Sequence, residues 1–132
     1  MLESHNAIVE SEIVRFRGSA VKNTGDGILA TFDSPGRAID CALALGRDLR
    51  GLGLSIRAGL HTGEVEVAGK VVRGIAVHIA ARVLEKAAAN EVWASRTVKD
   101  LVVGSHFKFM QSGTYRLKGV AGDWPLFSVQ QR

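Results

Sequence analysis

The stretch that most constrains this chain is residues 21–32, Val21-Lys22-Asn23-Thr24-Gly25-Asp26-Gly27-Ile28-Leu29-Ala30-Thr31-Phe32. Two short β-type runs flank Gly25-Asp26-Gly27, and glycine tolerates the positive φ angles of a tight reversal, so the stretch reads as a hairpin. Asp26 is then displayed at a rigid tip. A carboxylate held there suits a hard cation such as Mg²⁺, which takes one or two carboxylates and leaves its other positions to phosphate oxygens and water. Taken alone, the tripeptide is equally an ordinary surface turn that the aspartate merely favours.

The rest of the chain reads as one domain, 1–132. With 132 residues, 46% hydrophobic and 23% charged, it can bury a core and has little room for a second unit. The net charge of +4 permits an anionic ligand, yet the basic residues are scattered and aromatics make up 6%, which argues against a nucleic-acid binder of the RNA-recognition type. Cys41 is the single cysteine, so an internal disulfide is impossible and a reducing, cytoplasmic setting is expected. No apolar run approaches membrane-spanning length, and Met1-Leu2-Glu3-Ser4-His5 lacks the basic and apolar regions of a signal peptide, so neither membrane contact nor export is expected.

In chain order, residues 2–17 read as an amphipathic helix with Leu2, Val9, Ile13 and Phe16 near one stripe, closed by Gly18. No capping residue precedes that pattern, so the chain is expected to start inside a helix. After the hairpin, Ser34 as cap and Pro35 in the first turn open a helix through Arg50 that carries Ile39, Ala42, Leu45 and Leu49 and ends at Gly51 and Gly53. Residues 54–60 and 64–67 alternate and are joined by His61-Thr62-Gly63, which predicts a second antiparallel pair. Ile75, Ile79 and Val83 predict a helix over 74–88, followed by a strand over 91–94 and a short helix capped by Ser95. Residues 107–117, bent at Gly113, and 124–129 complete the strands. The expected architecture is α+β, a mostly antiparallel sheet with helices packed on it.

Four ordered segments make the chain resemble the catalytic domain of class III nucleotidyl cyclases, the adenylate and guanylate cyclases, in their compact bacterial form. They are Val21-Lys22-Asn23-Thr24-Gly25-Asp26-Gly27, Arg57-Ala58-Gly59-Leu60-His61-Thr62-Gly63-Glu64, Gly74-Ile75-Ala76-Val77-His78-Ile79-Ala80-Ala81-Arg82 and Leu117-Lys118-Gly119-Val120. The resemblance runs from the first helix to Val129 and implies a ferredoxin-like cyclase fold. It also implies a reaction, attack of the ribose 3′-hydroxyl of a nucleoside triphosphate on its own α-phosphate to give a 3′,5′-cyclic nucleotide and pyrophosphate. Such domains work as head-to-tail dimers, with catalysis mostly by positioning and electrostatics.

By the same resemblance, Asp26 corresponds to one of two aspartates that hold Mg²⁺ or Mn²⁺, Lys22 to the residue that reads the adenine edge, and Arg82 to the arginine on the α-phosphate. Lys118 corresponds to a lysine that holds the triphosphate, and His78 stands where many members have a ribose-orienting asparagine. Read without the resemblance, Arg82 is a helix-edge cation, Lys22 a strand-edge lysine, Lys118 a loop charge and His78 a packed histidine. His61 is expected to be structural, and Trp93 and Trp124 to be core anchors.

Three departures from the family pattern shape the expectation. The first strand and its aspartate have no counterpart in these residues, so the domain is read as N-terminally truncated, with weak or no activity. Val71 stands where adenylate cyclases carry an acceptor for the adenine amino group, and valine accepts no hydrogen bond, although Lys22 still favours ATP over GTP. A gap inside the sheet would leave unpaired strand edges, which predicts a homodimer with altered or exchanged segments. The alternative is a non-catalytic cyclase-like module that dimerises or binds nucleotide.

Overall fold

The computed structural model describes residues 2–23, 27–69 and 71–131, with side chains for 7–21, 27–69 and 71–130. Asp26 lies outside the described residues, and the side chain of Lys22 lies outside the described side chains.

The described residues form α1 (Leu2–Arg15), β1 (Ser19–Asn23), β2 (Ile28–Thr31), α2 (Pro35–Gly51), β3 (Ala58–Leu60), β4 (Glu66–Ala68), β5 (Val71–Arg73), α3 (Ile75–Lys86), β6 (Val92–Ser95), α4 (Arg96–Leu101), β7 (Phe107–Arg116) and β8 (Asp123–Gln131). The main sheet runs β3-β6-β8-β7, with β3 parallel to β6 and the other neighbours antiparallel. β1 and β2 pair antiparallel as a separate ribbon, as do β4 and β5. The α+β, mostly antiparallel architecture expected from the sequence is present.

α2 ties the β1–β2 ribbon and the main sheet together. Ser34 caps it by accepting from the Arg37 backbone N–H, and Pro35 sits in the first turn, where a missing N–H costs nothing. One side of α2 places Cys41, Leu45 and Leu49 against Val9 and Ile13 of α1 and against Ile28 and Ala30 of β2. The other side places Ile39 and Ala42 against Val92, Ala94, Phe107 and Val129 of the main sheet. Cys41 is consequently buried, and burial, aided by the charge of Glu12, pushes its thiol up to about 12, so it is a packing residue rather than a nucleophile.

α3 covers the other end of the main sheet, with Ile79 and Val83 packed among Trp93, Leu117 and Leu126. It lies so close to β3 that a Cβ on Gly59 would come within 2.4 Å of the Leu84 backbone nitrogen. Glycine is required there by space, since no side-chain rearrangement can move a helix backbone cheaply.

Four expectations need correction. The segments 54–60 and 64–67 do not pair with each other: β3 pairs with β6, and β4 turns back on β5, a strand that sequence patterning missed. The reason is that His61 is tied to Ser95 and Gly63 rests on Ala76 of α3, which carries the chain away from β3 toward the helix. Ser95 precedes α4 but makes no side-chain cap, because its hydroxyl is engaged by His61. α1 closes through Arg17 in the left-handed region at φ 64°, rather than through Gly18.

Candidate functional site

α3 projects His78 and Arg82 one turn apart, and the turn between β7 and β8 rises to meet them. The His78 Nε2–H donates to the Lys118 carbonyl oxygen at 2.8 Å, which fixes the ring tautomer and anchors the turn. Gly119 permits that approach. It adopts φ +80°, and a Cβ on it would stand 3.0 Å from His78 Nε2. Leu117, buried against α3, and the Val120 N–H on the Leu117 carbonyl at 3.0 Å hold the base of the turn. His78, one turn from Arg82 on α3, is thus joined to the carbonyl of Lys118, 40 residues further along the chain.

Arg82 is 26% exposed, and its Nη1 donates to both carboxylate oxygens of Glu85 at 2.8 and 3.0 Å. Its Nε is buried with no hydrogen-bond partner among the described residues. That hydrogen bond from Arg82, opposed by desolvation and aided by the charges of Arg82, Lys86 and Lys118, holds the Glu85 carboxyl below its usual value. The charge of Lys118 thus reaches the same carboxylate that Arg82 holds. A cluster of two such cations on a helix and a turn is suited to phosphoryl oxygens.

Val71 lies on β5, 55% exposed, beside β1, the strand that carries Lys22. The two residues expected to face a base therefore sit on neighbouring strands, next to the start of α3. Among the described residues, no three His, Cys, Asp or Glu side chains gather to hold a metal.

His61 takes no part in this cluster. Its Nδ1 shares a 2.7 Å hydrogen bond with the fully buried Ser95 hydroxyl, and its ring meets Trp124 edge-on at 5.6 Å. Burial lowers its pKa, so the folded protein resists protonating it. Above pH ~6.5 the ring is neutral folded and unfolded alike; below it, the unfolded chain takes up a proton that the folded one refuses, by at most ~1.4 kcal/mol per pH unit and less for a half-exposed ring. Stability should accordingly fall as pH drops through 6.5, and denaturant titrations at pH 8 and pH 5.5 should show a smaller fall in His61→Gln.

Sequence reasoning missed Glu85 and β5, and took Ser95 for a helix cap and not for the partner of His61. Glu85 had a faint signal, an acid at the C-terminal end of a helix three residues after Arg82. Nothing local marks Ser95 as the partner of His61.

The chain has the fold of the catalytic domains of class III adenylate and guanylate cyclases. Adenylate cyclases of Trypanosoma brucei, solved in their monomeric state, superpose with a TM-score of 0.87 at 18% identity, covering 98% of this chain and 77% of theirs. The catalytic core of a rhodopsin-guanylyl cyclase with converted specificity, in complex with ATPαS, gives 0.87 at 22% identity, covering 99% and 81%. The Rhizobium meliloti (strain 1021) protein named "Putative adenylate cyclase 3" is 30% identical over 122 residues. That alignment takes in 86% of this chain but only 21% of the relative's length. No protein-family model matches the sequence. No helix among the described residues is long and apolar enough to cross a membrane.

Proposed function

We propose that the chain is a cytoplasmic class III nucleotidyl cyclase domain whose site handles a nucleoside triphosphate, ATP in preference to GTP, and forms 3′,5′-cyclic AMP and pyrophosphate in its complete form. The observation that supports this reading is the hydrogen bond from His78 to the Lys118 carbonyl, one helical turn from Arg82 on α3. Lys118 would bind the triphosphate, Arg82 would face the charge that develops at the α-phosphate, and Lys22 would read the adenine edge beside Val71. A bound Mg²⁺ or Mn²⁺, held by Asp26 and the phosphates, would supply Lewis-acid charge neutralisation.

The active form would be a homodimer, since Asp26 and the Arg82 cluster belong to opposite halves of a head-to-tail site in the cyclases this chain resembles. Among the described residues, the separation of the β1–β2 ribbon from the main sheet, with β2 and β3 each paired on one side, supports a dimer in which strands are rearranged or exchanged. A strictly monomeric chain in light scattering over a wide concentration range would overturn that arrangement.

These 132 residues carry one matched metal aspartate, which favours slow or absent turnover by this polypeptide alone. Val71, unable to accept from a base, and His78, occupied by the Lys118 carbonyl, favour a second reading as a nucleotide-binding or dimerising module without turnover. The deciding assay is cyclic-nucleotide production from ATP and GTP with Mg²⁺ and with Mn²⁺, using the chain and its Asp26→Ala variant. Turnover that prefers ATP and disappears in Asp26→Ala is expected of the catalytic reading, and Mn²⁺ should support it better than Mg²⁺, which demands stricter geometry. ATP binding without product selects the module, and absence of both rejects the nucleotide site.

A further inference from the structure

Glu85 stands where an α-helix least favours a carboxylate. It is the next-to-last residue of α3, facing the negative end of the helix dipole, and an acid placed C-terminal to its basic partner is the weaker order for an intrahelical pair. Helix stability therefore gives an acid here only the weak gain of an i,i+3 ion pair in its less favourable order. Its two oxygens are committed instead to Arg82 Nη1. The guanidinium is left unsaturated on another edge, where Nε is buried and unpartnered among the described residues. Glu85 is also on the solvent side of the pair, 57% exposed against 26% for Arg82, so the carboxylate can swing outward while the guanidinium keeps its place.

We infer that Glu85 is the resident counter-ion of Arg82: it occupies the guanidinium while the site is empty and must release it to an incoming phosphate. The inference rests on the reading of Arg82 and Lys118 as a phosphate-binding pair. An anion that engages Arg82 meets the negative charge of Glu85 beside it, and Nη1 cannot satisfy both fully. The affinity that is observed is the intrinsic one reduced by the fraction of time Arg82 is free. Only an anion that carries several charges and reaches Lys118 as well gains enough to displace Glu85, so a polyphosphate is selected over singly charged anions. Glu85 is thus a positioning residue that sets the threshold for phosphate entry.

The test is calorimetric titration of inorganic pyrophosphate into the wild-type chain, Glu85→Gln, Glu85→Asp, Arg82→Gln and the Arg82→Gln/Glu85→Gln double variant, with circular dichroism confirming that each is folded. Glu85→Gln is expected to bind about fivefold to tenfold more tightly, and Glu85→Asp, which keeps the charge but shortens its reach to Nη1, about twofold to threefold. In the Arg82→Gln background the Glu85→Gln gain should fall below about twofold, because there is no pair left to release. An unchanged or weaker affinity in Glu85→Gln overturns the counter-ion role, as does a gain that persists in full without Arg82. No change in Glu85→Asp overturns it even if the Arg82 variants fail to fold. Arg82→Gln binding pyrophosphate as tightly as wild type, or no binding by wild type and Glu85→Gln alike, rejects the phosphate reading of the site and the counter-ion with it.

Discussion

Gly59→Ala is expected to destabilise the domain by ~3 kcal/mol or more, enough to unfold much of the population at physiological temperature. The added Cβ would sit 2.4 Å from Leu84 N, 2.7 Å from Leu84 Cα and 2.8 Å from the Ala80 carbonyl oxygen. All three are backbone atoms of α3, so relief requires the helix to lift off β3. That movement would disturb the packing of Ile79 and Val83 against Trp93, Leu117 and Leu126. By contrast, Gly46→Ala, in the middle of α2 where nothing lies within 4 Å of the new methyl, should stabilise by a few tenths to ~1 kcal/mol through helix propensity. Urea titrations of the two variants beside wild type check both. Equal midpoints for Gly59→Ala and wild type would show that β3 and α3 are not in the contact described.

Lys118→Ala and His78→Ala are each expected to weaken ATP binding by about tenfold or more, and together by far less than the product of the two. Lys118 supplies a charge, whereas His78 supplies the hydrogen bond that holds the Lys118 turn, so both changes remove the same positioned cation. Gly119→Ala should behave like His78→Ala, since a methyl at φ +80° presses on the His78 ring and forces the turn outward. Nucleotide titration of the two single variants and the double variant gives the coupling directly. Independent, multiplicative losses would mean that His78 contacts the ligand itself and does not act through Lys118. This outcome is separable from the Gly59 result, because it is read as ligand affinity and not as a denaturation midpoint.

How much of this was legible beforehand depends on the range of the forces involved. α2 could be read residue by residue, because Ser34, Pro35 and the spacing of Ile39, Ala42, Leu45 and Leu49 act within one or two helical turns. The same holds for α3, where one helix was bound to carry His78 and Arg82 on a common face. The bend at Gly113 likewise appears, as a register shift between Gln111 and Gly113. Asp26 and the contacts of the Lys22 side chain fall outside the described residues, so their roles rest on motif alone.

The sequence by itself determined the helices, their apolar faces, the α+β class and the motif residues, since periodicity, capping and turn chemistry are short-range and written in neighbouring side chains. Tertiary structure alone decided that β3 chooses β6 over the adjacent β4, that Ser95 serves His61 rather than its own helix, and that the Lys118 carbonyl meets His78. Each of these is a choice among several locally acceptable partners. The winner is the one that buries an apolar face and satisfies a polar group at the same time, and the residues that settle it lie tens of positions away.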